Sequence, residues 1–270
     1  MDGPRDKRKQ IAAAGAVCVL VLLAIGLFRW HTHWRTVAPP DGTLTIATWN
    51  LRHFDDETPG DLVDAAAFVL NENAADLVAI QEVRGEGEAV RKLANRLGRA
   101  WRVKLGPITG NYERLAFIYD SRVVRPVREV RMPNLDAIDR RPLATQFRSG
   151  GFDFTLINVH LLASDAERRR AEAMQLVGRL RQDRWPPGER DLIVLGDLNT
   201  QRMRGPTMAS FRQAGWTPAT SAPTNASGTR SLDHVLLPAG VNKSRGWVGE
   251  AVESISDHAP VFVEIDIDSS

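Results

Sequence analysis

Apolar residues gather in short runs along most of the chain, and these runs have the length of β-strands. The predicted strands are residues 44–49, 77–80, 115–119, 152–159, 192–195, 232–237 and 261–267. In the run 152–159, Phe152 and Phe154 alternate with Asp153 and Thr155, which predicts a sheet with two unlike faces. We therefore expect that this sheet is not a wholly buried parallel one.

Helical patterns lie between several of these strands. Apolar residues recur with the spacing of one helical face in two places. The first face consists of Leu62, Val63, Ala66, Val69 and Leu70, and the second of Ala173, Leu176, Val177 and Leu180. Strands interspersed with amphipathic helices predict an α/β (α+β) fold, and residues 43–268 are expected to form one domain.

The N-terminal segment has a different pattern. Residues 11–28 carry no charge, and a helix of about 18 residues spans most of a hydrocarbon core. We therefore predict a transmembrane anchor at 11–29, after a basic tail at 1–10 and before a linker at 30–42. The positive-inside rule then leaves the tail cytoplasmic and predicts a single-pass membrane protein with an extracytoplasmic domain. The alternative is a cleaved signal peptide, but residues 25–36 contain no convincing small-x-small cleavage site.

The overall composition excludes few functions but limits the metal chemistry. The chain has 35 Lys and Arg against 33 Asp and Glu, a balance too even to indicate a nucleic-acid partner by itself. Its one cysteine, Cys18, lies in the apolar N-terminal stretch, so residues 43–268 can form neither a disulfide nor a thiolate metal site. Any metal ion in this domain must be bound by oxygen or imidazole.

Polar side chains stand next to the ends of the predicted strands. They are Asn50, Glu82, His160, Asp197, Asn199, Asp257 and His258. If neighbouring strands finish at the same edge of a sheet, these side chains converge in one cleft. Carboxylate and amide oxygens favour Mg²⁺, with Mn²⁺ or Ca²⁺ as alternatives, over a structural zinc ion.

Six short motifs around these residues resemble those of the endonuclease/exonuclease/phosphatase superfamily, on its deoxyribonuclease I-like side. They occur in the order that the family uses. The motifs are Thr48-Trp49-Asn50, Ile80-Gln81-Glu82-Val83, Asn158-Val159-His160, Gly196-Asp197-Leu198-Asn199, Leu232-Asp233-His234 and Ser256-Asp257-His258. The resemblance implies a four-layered α/β/β/α sandwich with two mixed β-sheets and a metal-dependent phosphodiester hydrolase.

The same resemblance implies a set of metal ligands and a nucleophile-handling group. Glu82 corresponds to the principal metal-binding carboxylate, with Asn50 beside it and Asp257 as a possible further ligand. The ion at such a site offsets phosphate charge and stabilises the departing oxygen. Asp197 is expected to orient or deprotonate the attacking water, and Asn199 to help hold that water and the phosphate.

Two imidazoles complete the implied site. His258 is expected to donate to a non-bridging phosphate oxygen, with Asp233 fixing its tautomer. His160 corresponds to a histidine that pairs with a glutamate, for which Glu113 is the candidate. Arg140 corresponds to a phosphate-contacting arginine, and its neighbour Arg141 is an alternative for that role.

The substrate is less constrained than the bond type, because surface loops decide which phosphate ester enters this core. The sequence has no obvious inserted aromatic hairpin for lipid and few tyrosines for base stacking. A nuclease acting on DNA or RNA is the first prediction. A lipid or sugar-phosphate phosphodiesterase or phosphatase is the alternative, and a membrane-tethered, non-catalytic binding module is a third. We expect nucleic acid and the membrane as partners and predict no protein partner.

Overall fold

The computed structural model describes residues 42–133, 135–182, 191–200 and 204–267. Twelve strands and four helices lie in these residues, together with a short turn at Gly110–Tyr112. The strands are β1 (Thr43–Phe54), β2 (Leu77–Val83), β3 (Trp101–Leu105), β4 (Arg114–Asp120), β5 (Arg125–Val130), β6 (Leu143–Ser149), β7 (Phe152–His160), β8 (Leu192–Asp197), β9 (Thr217–Pro218), β10 (Asp233–Leu237), β11 (Lys243–Val248) and β12 (Val261–Asp266). The helices are α1 (Gly60–Glu72), α2 (Glu88–Leu97), α3 (Ala166–Leu180) and α4 (Pro206–Gln213).

The strands form two six-stranded mixed sheets, as the resemblance implies. The first has the order β11-β12-β1-β2-β4-β3 and the second the order β5-β6-β7-β8-β10-β9. Each contains one parallel pair, β1 with β2 and β7 with β8, among antiparallel neighbours. Helices connect the parallel strands, because a parallel pair requires a crossover rather than a tight hairpin.

The apolar faces of the elements produce four layers. Helices α1 and α2 pack on the outer face of the first sheet and α3 and α4 on that of the second. Between the sheets, Phe147 makes an edge-to-face contact with Phe117 and stacks against Phe154. The two mixed sheets and their covering helices confirm the predicted sandwich in the described residues.

The second sheet is mixed rather than wholly parallel, as expected, but the two faces of β7 differ less than the alternation predicted. Thr155 in β7 is fully buried, and only Asp153 among the alternating polar positions is half-exposed. The reason is that the outer face of β7 lies under α3, whose residues Ala173 and Leu176 pack against Ile157. Both faces of this central strand are therefore covered, and threonine is buried on the outer one.

The membrane prediction lies elsewhere in the chain. The predicted basic tail, the anchor at 11–29 and all of the linker except Gly42 fall outside the described residues. None of the helices that the structure describes is long and apolar enough to cross a membrane. The anchor therefore remains a prediction from the sequence.

Candidate active site

The polar residues predicted at strand ends meet because the strands carrying them are neighbours in the sheets. In the second sheet, His160 and Asp233 are the register partners of Asp197, on β7 and β10 respectively. In the first sheet, Asn50 on β1 stands beside Gln81 of β2. Asp197, His160 and Asp233 thus lie side by side where strands of the second sheet end or begin. They face the Asn50 amide of the first sheet.

A local backbone distortion aims Glu82 at this edge. Glu82 has a φ of 59°, a conformation that side-chain-bearing residues seldom adopt. The register of β2 against β4 shifts between Ile80 and Val83, so a bulge surrounds Glu82. The carboxylate accepts hydrogen bonds from Asn50 Nδ2 at 2.9 Å and from the backbone N–H of His53 at 3.1 Å. Strain of this kind concentrates at functional sites.

Gly196 explains how Asp197 reaches the same point. Its φ is 136°, and a Cβ at this position would lie 1.9 Å from the carbonyl oxygen of Val159. Only glycine permits β8 to approach β7 so closely here. The glycine of the Gly-Asp-Leu-Asn motif is therefore a packing requirement of the strand that delivers the carboxylate.

Asp197 stands at the centre of the site. Its Oδ2 accepts a hydrogen bond from Asn50 Nδ2 at 3.0 Å, and its Oδ1 accepts one from the backbone N–H of Asn199 at 2.8 Å. Nε2 of His160 is 3.5 Å and Nε2 of His258 is 3.9 Å from Oδ2. The carboxylate is 1% exposed. The amide of Asn50 therefore joins a carboxylate of each sheet.

Asp233 and His258 form the predicted dyad. His258 Nδ1 lies 2.8 Å from Asp233 Oδ2, which also accepts a hydrogen bond from the Thr224 hydroxyl at 2.8 Å. The backbone of His258 is held as well, because its carbonyl accepts a hydrogen bond from Trp49 Nε1 at 2.9 Å and its N–H donates to Ser256 Oγ at 3.1 Å. The ring is thus fixed with Nε2 directed towards Asp197.

The charges at this edge shift the proton affinities of both central groups. Burial, followed by the neighbouring Asp233 carboxylate, raises the pKa of Asp197 to about 7. Burial opposes the charged form of His258, but the Asp233 carboxylate outweighs that effect and raises the pKa of His258 to about 10. At neutral pH His258 is therefore a cationic donor, and Asp197 is a carboxyl group close to its midpoint.

The predicted pairing of His160 with Glu113 is only approximate. His160 Nδ1 is 3.6 Å from Glu113 Oε2 and makes no hydrogen bond, whereas His160 Nε2 lies 3.0 Å from Arg140 Nη1, which donates to it. Burial, then the charges of Arg140 and His258, hold the pKa of His160 well below its usual value. Arg84, at 3.3 Å, is the hydrogen-bonding partner of Glu113.

Two further residues make contacts that the sequence did not predict. Arg140 is buried, donates to His160 and lies 3.9 Å from Glu113 Oε2, while Arg141 is exposed. Asp257 is exposed as well, and its ion-pair partner is Arg52 at 3.7 Å. No contact of Asp257 with Glu82 occurs among the hydrogen bonds and ion pairs of the described residues.

The amide groups also face differently from the prediction. Asn50 presents its nitrogen to the carboxylates, while its oxygen accepts a hydrogen bond from the Arg52 N–H at 2.9 Å. To bind a metal ion through its oxygen, the Asn50 side-chain amide would have to flip. The Asn199 side-chain nitrogen donates to the Leu161 carbonyl at 2.9 Å, so this amide fixes the segment that follows β7.

Several residues that support the site were not singled out from the sequence. Gln81 Nε2 donates to Asn158 Oδ1 at 2.8 Å, and Asn158 Nδ2 donates to the carbonyls of Ile80 and Ala116, so buried amides join the two sheets behind the catalytic edge. Gln81 and Asn158 stand inside the quoted motifs, which was the available signal. His53, whose contact with Glu82 is described above, lies three residues after Asn50 and belongs to none of the motifs.

The donor set fits a hard divalent cation. Glu82 and Glu113 bring two carboxylates together, and burial followed by the Glu82 charge raises the pKa of Glu113. Glu113 is 3% exposed, yet its Oε2 accepts no hydrogen bond. Arg140 Nη1 lies 3.9 Å from this oxygen, and a bound cation would add to that positive charge and relieve the repulsion between the two carboxylates. Oxygen atoms of Glu82 and Glu113 and a ring nitrogen of His53 lie within 4.8 Å of one another.

Comparisons with known proteins identify a family and similar folds. A family model described as "Endonuclease/Exonuclease/phosphatase family" matches residues 47–258. A sequence search of curated proteins returned no match. Among solved structures, a mannosyl-6-phosphatase of Bacteroides thetaiotaomicron is 17% identical and superimposes with a TM-score of 0.67 over 82% of this chain and 99% of that one.

Two other solved structures are similar. The catalytic domain of human Nocturnin is 16% identical, with a TM-score of 0.66 over 85% of this chain and 99% of that one. A truncated TDP2 of Caenorhabditis elegans is 16% identical, with a TM-score of 0.63 over 85% of this chain and 100% of that one. At these identities the similarity establishes a shared fold, while substrate preference rests on the residues of the site.

Proposed function

The chain belongs to the endonuclease/exonuclease/phosphatase family, and from its site we propose that it is a metal-dependent phosphodiesterase whose substrate is DNA or RNA. The observation that carries the proposal is the juxtaposition of two groups with complementary tasks. His258 Nε2 lies 3.9 Å from Asp197 Oδ2. The histidine is cationic at neutral pH and the carboxyl group titrates near neutrality. A donor for phosphate and a base for water thus stand side by side.

Asp197 is the proposed base. A pKa of about 7 suits a group that must accept a proton at neutral pH and return it afterwards. The Asn199 N–H and the Asn50 amide each donate to one of its oxygens, so the carboxylate has a fixed orientation before substrate arrives. We expect Asp197 to orient the attacking water and to take its proton.

His258 is the proposed donor to a non-bridging phosphate oxygen. Its Nδ1 proton is committed to Asp233, which leaves Nε2 to donate towards the substrate. Negative charge grows on that oxygen in the transition state, so a fixed cationic donor stabilises the transition state more than the ground state. His160, held by Arg140, would supply a neutral ring at the same edge.

Glu82 is the proposed principal metal ligand, with Asn50 and Asp257 as further candidates and Mg²⁺ as the expected ion. When bound, the ion would offset phosphate charge and stabilise the departing oxygen. Asn50 and the His53 N–H hold the Glu82 carboxylate towards the cleft. Asp257 would have to break its ion pair with Arg52 to bind the ion.

The preference for nucleic acid has its own support. Tyr112 is 85% exposed on the turn just before Glu113, so it offers an aromatic face beside the buried site on which a base can stack. Arg52 and Arg84 are partly exposed near Glu82 and Glu113 and suit a polyanion. A sugar-phosphate substrate is the second candidate, since a mannosyl-6-phosphatase shares the fold.

The test is hydrolysis by the full-length protein of plasmid DNA, RNA, bis-p-nitrophenyl phosphate, sphingomyelin and a sugar phosphate. Each is assayed with Mg²⁺ or Mn²⁺ and again with chelator. His258→Ala and Asp197→Ala should each lower turnover by ~10²-fold or more. Asp153→Asn, which alters a half-exposed carboxylate paired with Arg148, is the matched control and should retain activity.

The substrates separate the candidates. Chelator-sensitive cleavage of DNA or RNA that the His258 variant lacks supports the nuclease. Cleavage of the sugar phosphate or the lipid alone moves the enzyme to the alternative class. Binding of these ligands without turnover under any condition would identify a non-catalytic module and overturn the proposal.

The location of the enzyme is a separate proposal. We propose that the anchor at 11–29 holds the domain at a membrane with the N-terminus in the cytoplasm. The charge-free stretch 11–28 and the basic tail before it support this topology. Fractionation of the tagged chain and protease accessibility of its C-terminus would test it, and release of the whole chain with the soluble fraction would contradict it.

A further inference from the structure

We propose that His53 is a nitrogen ligand of the divalent ion bound by Glu82, and that it shifts the preference of this site from Mg²⁺ towards transition ions such as Co²⁺ or Zn²⁺. The inference rests on the proposed metal dependence and goes beyond it, since it adds an imidazole to a ligand set otherwise made of oxygens. It concerns which ion is bound rather than which substrate is cleaved.

The position of the His53 ring is the first argument. His53 Nδ1 lies 3.1 Å from Glu82 Oε2. Two ligand atoms that occupy adjacent corners of an octahedral ion, each with a bond of about 2.1 Å, are ~3 Å apart. The imidazole nitrogen and the carboxylate oxygen therefore already have the separation that a shared ion requires.

The backbone of the segment holds the ring in this position. Arg52 and His53 both have positive φ values, of 43° and 56°, which side-chain-bearing residues seldom adopt in succession. The register of β1 against β2 shifts between Asn50 and Phe54, so a bulge surrounds them. The N–H of His53 also donates to Glu82, which fixes the segment from the main chain. The strained turn thus delivers an imidazole to the carboxylate.

A second, independent observation points to a cation at this place. The Glu113 side chain is 4% exposed, and its Oε2 accepts no hydrogen bond. A ligand atom of each of Glu82, Glu113 and His53 lies within 4.8 Å of the other two. Arg140, 3.9 Å from this oxygen, and Arg84, bonded to the other Glu113 oxygen, supply part of the positive charge that two neighbouring carboxylates require, and an ion beside Glu82 would add to it. Half of the His53 side chain is exposed, which leaves a path for an ion from solvent.

The chemistry of the added ligand sets the preference. Mg²⁺ is bound almost wholly by oxygen, whereas Co²⁺, Ni²⁺ and Zn²⁺ accept imidazole readily and bind a given nitrogen-containing site more tightly. An imidazole at His53 therefore replaces an oxygen donor with a softer one.

The competing role for His53 is a hydrogen bond that only orients Glu82. The two roles predict different results when His53 is replaced by glutamine, which retains a hydrogen-bond donor but not the imidazole. Loss of an orienting contact weakens the binding of all ions to the same extent. Loss of a nitrogen ligand weakens the ions that favour nitrogen and affects Mg²⁺ little.

The experiment measures ion binding directly in the full-length protein. Calorimetry gives the Kd for Co²⁺ and for Mg²⁺, and pulsed EPR of the Mn²⁺-loaded protein detects a coordinated imidazole nitrogen. His53→Gln should weaken Co²⁺ by at least about 10-fold, change Mg²⁺ by less than ~3-fold and remove the nitrogen coupling. His160→Gln, the matched control, removes an imidazole whose Nε2 lies 3.9 Å from the other Glu82 oxygen and should keep the coupling. Glu82→Gln should weaken all three ions.

Each contrary result overturns the proposal. Nitrogen coupling that persists in His53→Gln, or a parallel weakening of Co²⁺ and Mg²⁺, reduces His53 to an orienting residue. Retention of tight binding in Glu82→Gln would put the ion elsewhere. The proposed function fails separately, by absence of metal-dependent hydrolysis. An active enzyme without nitrogen coupling therefore contradicts only the role of His53.

Discussion

Replacing Asp233 by asparagine should convert His258 from a permanently cationic ring into a neutral one. Asp233 Oδ2 lies 2.8 Å from His258 Nδ1, and this carboxylate is the main group that opposes the effect of burial. With the carboxylate gone, burial is opposed only by Asp197 and Asp257, and the pKa of His258 should fall from about 10 towards its ordinary value. The ring would then lose its charge at neutral pH.

The magnitude follows from the pKa. A rise from 6.5 to about 10 corresponds to a preferential stabilisation of the protonated ring by ~5 kcal/mol. Asp197 and Asp257 supply part of this, so Asp233 accounts for some rather than all of it. Because an uncharged donor stabilises the developing charge on phosphate less well, turnover at neutral pH should fall by about 10²-fold or more.

The assay is an NMR titration of ring-labelled histidine in the presence of chelator, with His258 assigned from the His258→Gln variant. The wild-type ring should stay protonated through pH 9, whereas in Asp233→Asn it should titrate below about pH 7. Asp153→Asn, on a half-exposed carboxylate far along the same sheet, is the control. A wild-type His258 that titrates near 6.5, or a variant that titrates like the wild type, would refute the account of this dyad.

Three further outcomes follow from the same contacts. Gly196→Ala should destabilise the fold by ~3 kcal/mol or more, because its Cβ would clash with the Val159 carbonyl. The control Gly178→Ala, on an exposed helix surface, should be neutral or stabilising, and thermal melts compare the two variants. Trp49→Phe, which deletes the hydrogen bond to the His258 carbonyl, should lower kcat about 10-fold with little change in KM. Because the pKa of His258 is raised, its protonation stabilises the fold fully below pH 6.5, and this contribution is lost as the pH rises towards 10. The thermal unfolding midpoint of the wild type should therefore fall more between pH 6.5 and 10 than that of His258→Gln.

The sequence predicted seven of the eight interior strands, missing β6, and none of the four edge strands β3, β5, β9 and β11. Each of the seven apolar runs lies in a strand to within one residue, because a strand covered on both faces needs apolar residues at most positions. By contrast β5 was not predicted. It has five exposed positions out of six and contains Arg125, Pro126 and Arg128. Because most of its side chains face solvent, this edge strand has no apolar periodic signal.

The site divides in a similar way. The motifs identified residues that the strand register brings together, such as Asp197 with His160 and Asp233. The motifs did not predict the direction in which each polar side chain points. Arg140 faces His160, and Asn50 presents nitrogen to two carboxylates, because long-range hydrogen bonds decide these orientations. His53 escaped notice because its position depends on a bulge and a positive φ.

The hydrogen bonds that hold the site together indicate that its geometry depends on how the two sheets pack against each other. The base Asp197 belongs to the second sheet and the metal ligand Glu82 to the first, and Asn50 bonds to both. Behind them, the Gln81 and Asn158 amides bond to each other across the same interface. A change that shifts the sheets by a fraction of an ångström therefore moves the base relative to the metal ligand. Loss of activity should then precede global unfolding whenever the packing between the sheets is loosened.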